Sequence, residues 1–258
     1  MVSSSSAVAV AARAPITHER IERVFYLLAA CLLLVIVAMG FQKFYLHGTA
    51  SNGGPVTQQI VLLVFLHGVA MSAWIIAFMV QSSLIVSGNR KLHMSLGIAG
   101  VVLAGFLVLV GVTTAIASVH YNPDGYKNLW SARRFLSFML TNIFGFGVLA
   151  AIGLKFRRRP EIHRPMMLLA TLFVAGPAGF FRIPFIFGFV MSTIHTILAP
   201  WVPMLILAVF LLLIKWLMTR SWDRYFAVGV AGIIAACVLQ FLVANSAWWY
   251  HVAGWVTA

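Results

Sequence analysis

Seven long apolar runs, parted by short segments that hold most of the charge, set the pattern of this chain. They fall at about 22–46, 57–87, 92–119, 133–155, 162–182, 199–218 and 224–249. Each is long enough to cross a bilayer, since ~20 predominantly apolar residues span ~30 Å of hydrocarbon. Lipid offers the backbone no hydrogen-bond partner, so a span must be a helix or part of a closed barrel. The runs show no period-2 alternation and are rich in Leu, Ala, Val, Ile and Phe. The expected fold class is therefore all-α: a polytopic transmembrane helix bundle of seven spans.

One stretch admits two readings. From Ile183 to Met218 a single helix would run to roughly 54 Å, too long for one crossing. Pro184, Pro200 and Pro203 bracket Phe185–Ala199, and proline interrupts a helix by removing a donor and adding a clash. The segment reads as a short outer or re-entrant helix, with Trp201–Met218 as the sixth span; eight spans is the alternative. Charge decides between them. With seven spans and the N-terminus inside, 13 Lys and Arg residues fall on the inner side and 5 on the outer, a clear positive-inside pattern. Eight spans would erase most of that asymmetry. The expected orientation is N-terminus in and C-terminus out.

Composition agrees, with 62% hydrophobic and 9% charged residues. The net charge of +13 follows from topology and from anionic lipid headgroups, so the expected partners are membrane lipids and not nucleic acid; no basic, aromatic-interleaved soluble face exists to hold one. Nothing in the chain specifies a protein partner or a homo-oligomer. Residues 1–21 read as a disordered cytoplasmic tail, 22–250 as the transmembrane domain and 251–258 as a short outer tail. Cys31 and Cys237 fall inside spans and read as packing residues. Trp130, Trp201, Trp248, Trp249 and Tyr250 lie near the expected outer boundary, and Trp222 and Tyr225 near the inner one, as interfacial belts do.

Polar groups inside lipid are costly and mark candidate sites. His67 lies ~14 Å below the outer start of the second span. Asn142 lies about as deep on the fourth, and Thr113, Thr114, Gln240 and Asn245 approach that level from other spans. Arg182 stands where the fifth span meets the outer face. His67, Thr113, Asn142 and Arg182 are therefore a candidate ligand pocket in the outer half. Each also has a plainer reading: interhelical hydrogen bonds for His67, the threonines and Asn142, and a snorkelling anchor for Arg182.

A second level lies at the inner side. His93 and His163 open the third and fifth spans at similar depth, with Gln81 approaching on the second. Both sit in matching helix–basic turn–helix units, a faint internal repeat. Two histidines on separate helices at one depth suit haem ligation or a metal site. Helix N-termini also favour neutral imidazole for structural reasons alone. His93, His163 and His67 are the candidate cofactor-binding residues. His47, His120, His195 and His251 scatter over the outer side without metal-ligand spacing. No catalytic motif is present, and no catalytic residue is assigned. Glu19, Glu22, Asp124, Glu161 and Asp223 read as tail and loop residues, which disfavours a carboxylate-driven proton or sodium carrier.

His67-Gly68, Trp74, Gln81-Ser82-Ser83-Leu84, Leu92-His93, Leu96-Gly97, His163, Met166-Met167-Leu168-Leu169-Ala170-Thr171 and Arg182 carry a resemblance. Across all seven spans the chain resembles uncharacterised bacterial seven-helix membrane proteins of the DUF2306 type. More loosely, it resembles haem-bearing cytochrome b561-like bundles. The resemblance implies a bacterial plasma-membrane location and no established activity. Pro165 departs from the basic residue commoner in the second histidine turn. The expected function is that of a haem- or quinone-associated cofactor-binding bundle. The alternatives are a small-solute transporter and a non-catalytic assembly or sensory subunit.

Overall fold

The computed structural model describes residues 17–49, 56–121, 131–193 and 198–257, and no β-strand occurs among them. Ten α-helices follow in chain order. They are α1 (His18–Gly40), α2 (Gln42–His47), α3 (Val61–Val86, led in by a 3-10 turn at Gln58–Ile60), α4 (Arg90–Tyr121) and α5 (Ala132–Lys155). The second half holds α6 (Pro160–Arg182), α7 (Pro184–Thr193), α8 (Trp201–Thr219), α9 (Arg224–Ala244) and α10 (Ala247–Val256). Seven of them, α1, α3–α6, α8 and α9, are long and apolar enough to cross a membrane. At 10 residues, α7 rises only ~15 Å and cannot cross, so it is the short helix of the seven-span reading.

Local chemistry sets the boundaries. Thr17, Ser131, Asp223 and Ser246 each accept a backbone N–H of the first turn of their helix, the usual work of such caps. Pro160 opens α6 at a position where its missing N–H costs nothing. Gly88, with φ of +78°, makes the tight turn from α3 to α4. Three expected limits shift. The Thr17 cap and the Glu19–Arg23 pair start α1 at His18, inside the expected tail. The first run breaks at Phe41 into α1 and α2, where Gly40 is pressed against another helix. Asn245-Ser246 likewise breaks the seventh run, and the expected outer tail is largely helix, because Ser246 caps α10.

The bundle is organised around α6. Helices α1, α3, α4, α5, α9 and α8 pack in sequence as a closed ring, and α6 packs on α1, α3, α5, α8 and α9. The apolar stretch of α6 is 72% buried, against 22% for α4. Lipid is as apolar as a side chain, so close packing replaces the hydrophobic effect as the force between helices. Glycine supplies the approach. A Cβ on Gly40 would sit 2.4 Å from the Gly179 carbonyl oxygen, one on Gly145 would sit 1.8 Å from the Phe173 ring, and one on Gly229 would sit 2.4 Å from Leu169. Thus α1, α5 and α9 each present a glycine notch to α6. Trp201 is fully buried, stacked on Phe173 at 5.0 Å and edge-on to Phe138. It is a core anchor, not the interfacial ring expected, because its Nε1–H finds a buried acceptor in Gln240 at 3.3 Å.

Candidate functional site

Two groups of polar side chains stand at opposite ends of the bundle. The first lies where the Lys- and Arg-rich turns gather, here the basic end. His93, in the first turn of α4, and His163, in the first turn of α6, meet edge to face with ring centroids 6.4 Å apart and planes at 85°. Neighbouring helices fix each ring. The Nδ1 of His163 lies 2.8 Å from the Gly153 carbonyl of α5. The amide of Gln81 of α3 lies against the His93 carbonyl, His93 Nδ1 and the Gly97 N–H; with its nitrogen turned to His93 it donates to the carbonyl at 3.1 Å, and its oxygen accepts the Gly97 N–H at 3.1 Å. Four helices therefore converge on the pair. The structure brings together the two histidines and the glutamine that the sequence placed at one depth.

Beside this pair runs an ion network whose extent the sequence did not reveal. Lys215 of α8 is only 4% exposed. Its ammonium donates to Glu22 Oε1 at 2.7 Å, to Tyr26 Oη at 2.9 Å and to Asp223 Oδ2. Arg164, next to His163, bonds the other oxygen of Glu22 at 2.9 Å. Glu19 bonds Arg23 and reaches Arg90 at 3.7 Å. Glu22 is thus not a tail residue. It belongs to α1 and, with Asp223, neutralises a buried cation. The available signal was Lys215 itself, a charge inside the sixth apolar run; Glu22 meets it from α1, remote in sequence, and Asp223 from the turn that follows α8.

The second group lies at the far end. His67 of α3 has its Nδ1 sealed from solvent with no hydrogen-bond partner among the described residues. Arg182 is the last residue of α6. The guanidinium donates to the Ala178 carbonyl at 2.9 Å and lies 4.4 Å from the Phe41 ring centre. With Lys43, Phe44 and Thr49 it lines a shallow cleft. Phe44 packs on Gly68, and Tyr45 bonds Ser72 at 2.7 Å.

The remaining pocket residues do not join them. Thr113 is exposed and bonds its own helix at Leu109 and Val110, so the four-residue outer pocket is not assembled; its neighbour Thr114 is the buried one. Asn142 is 7% exposed and donates to Phe138, and its Oδ1 lacks a partner among the described residues. Gln240 serves the core instead, donating to Ser137 at 2.9 Å. Asn245 is exposed. His120 is held by the Thr257 carbonyl at 2.8 Å. Trp130, Asp124 and His195 lie outside the described residues.

These geometries test what the sites can hold. Among the described residues no three His, Cys, Asp or Glu side chains gather as a metal site. Axial haem ligation needs an Nε2 lone pair from both histidines. His163 offers one, because its Nδ1 faces a carbonyl and carries the proton, as a backbone carbonyl does for many metal-ligating histidines. The His93 ring is held by Gln81 alone, through the side chain at Nδ1 and through the backbone.

Compared with known proteins, the chain matches no family model, and no curated protein or solved structure is significantly similar to it. The seven spans make it an integral, multi-pass membrane protein in contact with lipid.

Proposed function

We propose that the protein is a cofactor-binding bundle of the bacterial plasma membrane, N-terminus inside, that holds a membrane-borne redox group at His93 and His163. The observation that carries this reading is the ring pair itself. Four helices immobilise two imidazoles against each other, the His163 Nδ1 on the Gly153 carbonyl and the His93 ring on Gln81. Such immobilisation of two adjacent imidazoles is what a binding site requires. The basic end is the inner side by the charge rule, which places the pair near the inner headgroups. The DUF2306-type and cytochrome b561-like resemblance is part of this proposal.

The carrier reading draws less support, since Thr113 is exposed and bonds only its own helix. Purified protein, extracted with its native lipid, tests the proposal. An absorption spectrum and a solvent extract of the wild type should yield a bound chromophore or quinone that His93→Ala and His163→Ala both deplete. Wild-type protein that carries neither, and takes up neither when they are added, contradicts the reading.

A further inference from the structure

Apart from the histidine pair, we infer that the basic end carries a docking site for an anionic phospholipid. Lys155, Arg157, Arg158, Arg159 and Arg224 build it, and a headgroup with two phosphates fills it best. The starting point is how charge is sorted at this end. Glu19 faces Arg23, Arg90 and Arg164, Glu22 faces Arg164 and Lys215, and Asp223 faces Lys215. Three carboxylates are thus engaged with four other cations, and the turn from α5 to α6 receives none of them. Lys155, Arg157, Arg158 and Arg159 are all exposed there. None makes an ion pair with a described residue, and neither does Arg224. Glu161 is the one carboxylate beside them, so four cations and one anion leave the stretch 155–161 at +3.

The patch is firmly built. The Arg157 and Arg159 N–H groups bond the Leu154 and Phe156 carbonyls at 3.2 and 2.8 Å, and the Ile162 and His163 N–H groups bond the Arg159 carbonyl. Packing brings Arg224 to the same level. A Cβ on Gly153 of α5 or on Gly229 of α9 would touch Met166 of α6; Arg159 lies six residues past Gly153, and Arg224 five before Gly229. Lys155 closes the α5 span and Arg224 opens the α9 span, so these charges stand at the edge of the hydrocarbon, at the depth of lipid phosphates. Each lies over a half-buried ring, Lys155 over Phe156 at 5.7 Å and Arg224 over Tyr225 at 4.8 Å, an attraction that holds the cation at that boundary. Guanidinium forks bond phosphate oxygens two at a time. Five cations exceed what one phosphate can answer, which favours a headgroup with two. A soluble acidic partner would have to reach past the headgroups to meet Lys155 and Arg224; a lipid is already there.

The test uses the full chain, delipidated in detergent and titrated with cardiolipin, phosphatidylglycerol and phosphatidylcholine. A fourth titration uses inorganic pyrophosphate, which offers two phosphates without acyl chains. Binding should be tightest for cardiolipin, weaker for phosphatidylglycerol and absent for phosphatidylcholine. Arg157→Gln, Arg158→Gln and Arg159→Gln together should weaken cardiolipin binding by at least about tenfold. Lys43→Gln, which removes an exposed cation at the far end, should leave it unchanged. Raised salt should weaken it in the wild type, a readout that needs no variant to fold. Pyrophosphate binding as tight as that of cardiolipin would make this a soluble-phosphate site and overturn the lipid assignment. No preference for cardiolipin over phosphatidylcholine, an affinity indifferent to salt, or full binding by the folded triple variant overturns it too.

Discussion

At the basic end, the ammonium of Lys215 is buried among Glu22, Asp223 and Tyr26, and three bonds answer its three donors. Toward the far end, His67 Nδ1, Asn142 Oδ1 and Arg134 Nε are sealed in with no partner among the described residues, against Arg23 Nε at the basic end. Burial is similar at the two ends, but satisfaction is not. An unanswered buried polar atom costs roughly 1–3 kcal/mol, so the far end gives up stability that the basic end keeps. The difference teaches where the fold is fastened. Helices α1, α6, α8 and α9 are tied by charge where His163 and Arg164 stand, and this holds the histidine pair on a fixed frame.

The sharpest way to break the comparison is Lys215→Met. It leaves Glu22 and Asp223 facing each other without their cation, and should cost about 3–5 kcal/mol in denaturant unfolding of the detergent-solubilised protein. Adding Asp223→Asn removes the matching charge and keeps a capping side chain, so most of that loss should return. An unchanged stability in Lys215→Met would show that the network fastens nothing. Next in size is Gly40→Ala, whose new Cβ meets the Gly179 backbone and should lower stability by about 1–3 kcal/mol. Gly105→Ala on α4 meets open space and should leave the melting temperature unchanged or raised. Asn142→Leu sharpens the contrast from the other side. Removing the orphaned acceptor should stabilise the protein by about 1 kcal/mol, and a clear loss would mean that Oδ1 has a partner in solution. The smallest effect is expected of Thr113→Val, within about 0.5 kcal/mol of zero, because its hydroxyl bonds only its own helix.

The count and order of spans were legible because each apolar run had to meet the same bilayer thickness. The prolines at 184, 200 and 203 marked the short helix for the same reason: the chain there lacks donors, not apolar character. Facing was less legible. Thr113 and Thr114 differ by one position on a helix apolar all round, and lipid and core demand the same side chains, so periodicity could not say which of them turned inward. Trp201 misled because tryptophan suits both an interface and a core that offers its N–H a partner. Depth along a helix, by contrast, is fixed by residue count, which is why His93, His163 and Gln81 could be placed together. The Lys215 network was hidden because its carboxylates stand at positions that sequence reading assigns to a tail and a loop.

Magic-angle-spinning NMR of protein isotopically labelled only at its 8 histidines tests the central claim most directly. Rings 6.4 Å apart should give a through-space cross-peak between His93 and His163 that disappears in either alanine variant. A fully folded wild type without that cross-peak would mean that the two imidazoles do not meet, and the site built on them would not exist.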